Sequence, residues 1–135
     1  MISFASFTME DTGPIYLQIL TFIKRGIVAG TITDGEELPS RRVLSALLGV
    51  NPNTVQKAYR ILEEEALVIS HAGAKSFVRA DADTAARLRR ELLEADARGV
   101  ITALKQMGLT KADALSLIEK YWDPEDGSMA SGGTV

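Results

Sequence analysis

The sequence contains no cysteine, which removes disulfide frameworks and thiolate chemistry. It contains a single histidine, His71. A metal centre would need about two more imidazole or thiolate ligands, so no metal site is expected and His71 reads as a strand residue facing solvent or a phosphate. No apolar run approaches the roughly 18–20 residues that span a bilayer. Residues 1–11 lack the basic start and long apolar core of a signal peptide. A cytoplasmic protein without a membrane partner is therefore expected. The Walker loop, the Gly-x-Ser-x-Gly elbow and paired histidines with an acid are all missing. No catalytic residue and no cofactor motif can be named, and an enzyme is not expected.

What is present fits a small folded chain. Its 135 residues allow one domain, or a small domain with an appendage, and 46% apolar content is ordinary for such a chain. The formal charge is −3, which by itself speaks mildly against a nucleic-acid partner. Distribution matters more than the sum. Arg41, Arg42, Lys57, Arg60, Lys75 and Arg79 fall in one stretch, and screening confines each charge to about 8–10 Å. A locally positive face can therefore exist on an acidic chain.

The stretch centred on residues 51–60 is the most informative. Asn51 is a strong N-cap residue, because its side-chain oxygen can accept from the free N–H groups of a first helical turn. Pro52 then suits the first helical position. At 100° per residue, Val55, Ala58, Tyr59, Leu62 and Ala66 fall on one side, and Asn53, Gln56, Lys57 and Arg60 on the other. The first set is a core stripe. The second is a row of amide and cationic groups, the types that read base edges and phosphates. Ser40 caps a short preceding helix, and Leu48-Gly49-Val50 makes the turn between the two. Together they predict a helix-turn-helix. Before it, Pro14 opens a helix that Gly30 stops, with Tyr16, Ile19, Leu20, Ile23 and Ile27 inward. Residues 1–13 alternate weakly and suggest a short strand. After it, residues 67–71 and 75–79 have strand composition, and Gly73 between them suits a turn needing positive φ.

Residues 38–44 (Leu-Pro-Ser-Arg-Arg-Val-Leu) and 48–59, with Asn51-Pro52-Asn53-Thr54-Val55 at their centre, resemble the winged helix-turn-helix of the GntR family of bacterial transcription regulators. Pro14-Ile15-Tyr16-Leu17-Gln18-Ile19 resembles that family's first helix. The Asn-Pro-Asn-Thr-Val signature and a short helical C-terminus resemble its YtrA subfamily. The resemblance spans residues 14–78. It implies an α+β fold: a winged helix-turn-helix over residues 1–80, a two-helix dimerisation segment over 81–123 and a flexible tail over 124–135. It also implies a homodimeric repressor on an operator with an inverted repeat in double-stranded DNA, and control of an ABC-transporter operon. The DNA-binding set is Ser40, Arg41, Arg42, Asn51, Asn53, Thr54, Gln56, Lys57, Arg60, Gly73 and Lys75. By resemblance, Arg42 occupies a DNA-contacting position, Arg41 stands where the family more often has an acid, and Lys75 replaces a second wing glycine.

Residues 84–107 read as one helix ended by Gly108. Thr110 caps a last helix, with Asp113 placed for a capping box. Leu88, Leu92, Leu93, Val100, Ile101 and Leu104 on the first of these helices and Leu117, Ile118, Tyr121 and Trp122 on the second form their apolar edges. Two helices cannot enclose a core alone, so their partner is either the winged domain of the same chain or a second copy, and the resemblance with its two half-sites favours a second copy. This length leaves no room for a separate ligand domain. Any small-molecule effector is expected between the C-terminal helices or at their junction with the winged part. The competing reading is a winged helix that docks protein instead of DNA, which would need an apolar outer face on the recognition helix.

Overall fold

The computed structural model describes residues 1–71 and 75–123. Its elements are α1 (Ile15–Ala29), α2 (Arg41–Leu48), α3 (Pro52–Glu64), β1 (Val68–His71), β2 (Lys75–Val78), α4 (Ala82–Gln106) and α5 (Lys111–Trp122). The chain divides into two compact units, Met1–Leu92 and Leu93–Val135.

In the first unit the helical stripes meet as their spacing requires. Ile19, Leu20, Ile23 and Ile27 of α1, Leu44 of α2 and Val55, Ala58, Tyr59 and Leu62 of α3 form one buried cluster. Leu67, Val68 and Val78 add the base of the hairpin to it. Lys24 and Glu65 join α1 to the end of α3 at 2.8 Å. β1 and β2 pair antiparallel, from Val68 opposite Val78 to His71 opposite Lys75. The other edge of β2 is met by the loop before α2: Leu38 N–H donates to Ser76 O (2.9 Å) and Val78 N–H to Glu36 O (2.8 Å). The winged helix-turn-helix architecture expected from the sequence is thus present, followed by two helices.

Three expectations need correction. Residues 1–13 form no strand. One ladder-like bond, Ile2 N–H to Glu37 O at 2.8 Å, holds the segment, and buried Ile2 and Phe4 anchor it. Phe4, Phe7 and Phe22 pack ring against ring, with centroids 4.9 to 5.8 Å apart. Ala66 does not extend the stripe of α3. It is exposed and sits at φ 61°, one residue past the cap, in a reversal where its own N–H donates to Glu63 O and Leu67 N–H to Leu62 O. This is the Schellman pattern that closes a helix. The helix expected from Thr84 begins at Ala82, because Asp81 Oδ1 accepts from Thr84 N–H at 2.9 Å. The compact first unit includes the start of α4 as far as Leu92, where Thr84 and Leu88 are buried. The wing tip at 72–74, with Gly73, and the tail at 124–135 lie outside the described residues.

Candidate nucleic-acid interface

The helix-turn-helix is set by local polar chemistry. Ser40 Oγ accepts from Val43 N–H (3.1 Å) at the start of α2. Asn51 Oδ1 accepts from Asn53 N–H (2.8 Å) at the start of α3. Between them Gly49 turns the chain at φ 68°, and buried Ser45 donates its hydroxyl to Val50 O at 2.6 Å. Tyr59 ties α3 to the entry of α2 by donating its phenol to Pro39 O at 2.7 Å. Burial raises the pKa of that phenol, opposed by the nearby Arg41 charge, so it stays a neutral donor.

These contacts leave a polar outer face on α3. Asn53, Gln56, Lys57 and Arg60 are all exposed, and Thr54 is half-buried at the flank. Among the described residues no hydrogen bond or ion pair engages the Asn53 or Gln56 side chains. Two amide groups at a helix N-terminus are thus free to meet base edges. The cations differ more than their sequence positions suggest. Arg42 and Lys75 are exposed. Arg60 lies 3.8 Å from Glu64, four residues on, a weak surface pairing. Lys57 holds its Nζ 4.1 Å from the centroid of the Tyr16 ring. Arg41 is half-buried, with its guanidinium carbon 5.8 Å from the Tyr59 ring and its Nε shielded without a hydrogen-bond partner. Ser40 and Asn51, both in the expected DNA-binding set, spend a side-chain oxygen on capping. Tyr16, expected in the core with Ile19 and Ile23, packs against that core but is only half-buried, and its contact with Lys57 does not follow from spacing alone.

The second unit shows the opposite surface. Its half of α4 and all of α5 contain no buried residue. Leu93, Val100, Ile101, Leu117, Ile118, Tyr121 and Trp122 are exposed, from 41% for Leu117 to 75% for Trp122, and Leu104 is half-buried. Leu88 and Leu92 stand apart from the rest of the expected dimerisation set. Leu88 is buried in the first unit's core and Leu92 packs against it. The capping box expected at α5 is formed: Asp113 N–H donates to Thr110 Oγ1 (3.1 Å), and Thr110 N–H to Asp113 Oδ2 (3.4 Å). No helix among the described residues is long and apolar enough to cross a membrane. No group of acidic and histidine side chains among them could hold a metal ion.

Comparison with known proteins gives this geometry its context. The family described as bacterial regulatory proteins, gntR family, matches residues 15–78, from the start of α1 to the end of β2. The HTH-type transcriptional repressor YtrA of Bacillus subtilis is 32% identical over 126 residues, covering 92% of this chain and 92% of its own. YhcF of the same organism, an uncharacterised HTH-type transcriptional regulator, is 31% identical over 112 residues, covering 83% of this chain and 93% of its own. A GntR family transcriptional regulator from Listeria monocytogenes superposes with a TM-score of 0.73 at 30% identity, covering 83% of this chain and 98% of its own. These relatives are transcriptional regulators and not enzymes. With near-full-length kinship and a winged helix-turn-helix carrying a free amide face, the chain belongs to the GntR family of DNA-binding transcriptional regulators and is YtrA-like within it.

Proposed function

We propose that the chain is a homodimeric repressor that reads an inverted-repeat operator through the N-terminal turns of α3. The observation that carries this reading is the pair Asn53 and Gln56, exposed and unengaged on a capped helix whose opposite face is locked into the core. Thr54 flanks them, where it can meet a thymine methyl or a phosphate. Arg42, Lys57, Arg60 and Lys75 would set orientation on the phosphates, which fix register without carrying sequence information. Arg41, packed on Tyr59, joins them, and Gly73, outside the described residues, completes the proposed set. The outer face of α3 offers no apolar docking strip, which disfavours a protein-binding winged helix.

Dimerisation is assigned to the exposed apolar surface of the second unit, with Ile101, Leu117, Ile118, Tyr121 and Trp122 at its centre. Two recognition helices related by a two-fold axis would meet half-sites about 10 base pairs apart, or a multiple of that. An apolar cleft of about 440 Å³ between the end of α4 and α5, lined by Val100, Ile101, Leu104 and Ile118, is the place for a small-molecule effector. Likeness to the transcriptional repressor YtrA supports the repressor role, and control of a neighbouring ABC-transporter operon is part of the same proposal. A bacterial regulator of this kind acts in the cytoplasm, where the DNA is. The test is selection of binding sites from fragmented genomic DNA by the purified chain. An enriched inverted repeat near its own gene is the expected result, and enrichment without sequence preference would refute the reading.

A further inference from the structure

We propose that Tyr16 is a positioning residue for DNA binding, its ring holding the Lys57 ammonium at the edge of α3 for contact with a backbone phosphate. The proposal rests on the DNA-binding reading and adds a residue which that reading does not contain. Tyr16 is the second residue of α1 and faces the same way as Ile19 and Ile23, yet it is half-buried where they are fully buried. Lys57 lies over its ring, with Nζ 4.1 Å from the centroid. Cation–π attraction extends to about 6 Å, so this contact is well inside its range.

The seam between α1 and α3 holds two lysines in different ways. Lys24 pairs with Glu65 at 2.8 Å. Lys57 has no carboxylate partner among the described residues. The difference has a chemical consequence. A carboxylate neutralises a lysine and competes with phosphate for it. An aromatic face leaves the charge intact and only restricts the side chain's rotamers. A lysine that grips a phosphate loses most of its rotamer freedom, and one already held has less to lose. Lys57 immediately follows Gln56, so fixing its contact also fixes how deep the reading end of α3 sits in the groove. The contact itself is present before and after binding, so the gain comes from rotamer freedom already lost, about two- to five-fold in affinity per protomer.

Because the contact is with phosphate, a mixed-sequence duplex of about 30 base pairs serves as the probe. The full chain and its variants are titrated against this labelled duplex by fluorescence anisotropy at several salt concentrations. Lys57→Gln should weaken binding and lower the salt slope by about 1 per protomer. Tyr16→Phe keeps the aromatic face and should match the parent. Tyr16→Leu should weaken binding about two- to five-fold per protomer, and adding it to Lys57→Gln should cost nothing more. If the two losses instead add, Tyr16 acts on the fold alone and the proposal is overturned. If Tyr16→Leu tightens binding, the ring sequesters Lys57 and the proposal is overturned. If Lys57→Gln changes neither affinity nor slope while the parent binds, the proposal falls and the DNA-binding reading stands. If the parent itself fails to bind at low salt, that reading falls as well. A measurement on the unsubstituted protein guards against a variant that misfolds: the Lys57 methylene protons next to Nζ should be shifted upfield by the ring. Unshifted resonances there would also overturn it.

Discussion

Ala66 carries the clearest single-residue strain in the first unit. It is the one non-glycine residue with positive φ among those described, at 61°, because the reversal from α3 into β1 needs a left-handed residue that an L side chain fits poorly. Ala66→Gly should raise stability by about 0.5–1 kcal/mol, read as a higher urea midpoint with an unchanged slope. A lower midpoint would show that the methyl group contributes more by packing than it costs in backbone strain. Asp81 gives a second residue-level expectation. Its carboxylate accepts from Thr84 N–H and pairs with Arg79 at 3.1 Å. The Thr84 hydrogen bonds chiefly, then Arg79, lower its pKa from 3.8 to about 2. A lowered folded-state pKa stabilises above the unfolded value and is lost as pH falls through the folded one. The melting difference between the parent and Asp81→Ala should therefore be present above about pH 4 and close toward pH 2. A difference that persisted unchanged at pH 2 would mean that the carboxylate charge is not what caps α4. Ser40, Asn51, Thr110 and Asp113 were legible in the sequence because capping is chemistry within three residues of chain. The Tyr16–Lys57 contact was not, because it depends on how two helices cross.

Helix α3 was readable almost entirely, since its caps, its buried stripe and its polar face each follow from spacing. What spacing could not give was its end. The reversal at Ala66 replaces the glycine that usually marks such a stop, so the stripe seemed to run one position too far. The hairpin was legible from the strand composition of residues 67–71 and 75–79 with Gly73 between them, and its edge partner at residues 36–38 was not, because three residues carry no period. The same limit explains the N-terminal segment, where two buried side chains two positions apart imitate strand alternation. If α3 reads bases through its first turns, Gln56→Ala should cost about 1–3 kcal/mol on the operator and leave binding to scrambled DNA nearly unchanged at the same salt. Equal losses on both would assign Gln56 to positioning. Arg42→Ala and Lys75→Ala should behave the other way. Each should weaken all sequences alike and reduce the salt slope by about 1 per contact, or about 2 in a symmetric dimer. An unchanged slope would remove these side chains from the backbone.

For the molecule as a whole, the decisive question is how α4 divides its work. Its apolar positions form one continuous series in the sequence, and the natural reading gives all of them to one interface. The structure splits the series. Thr84 and Leu88 are buried with the first unit, and from Leu93 onward the large apolar side chains are exposed or half-buried. Periodicity finds a helix face but does not say what covers it, and here the face passes from the first unit's core to side chains exposed among the described residues. A cut after Ala80 would remove Leu88, which is 1% exposed, and losses of about 2–5 kcal/mol are typical when a buried leucine side chain is truncated. That fragment should be markedly less stable than one ending at Leu92. The fragment of residues 1–92 should fold, remain monomeric and bind DNA with about half the salt slope of the full chain. The full chain should dimerise, and Ile101→Asp should abolish dimerisation by placing an unpaired charge in an apolar contact. Light scattering decides the assembly, denaturant titration the stabilities, and DNA titration at several salt concentrations the slope. If the 1–92 fragment still dimerises, the two-fold contact lies in the winged unit, and the exposed face of α4 and α5 is left for a different partner.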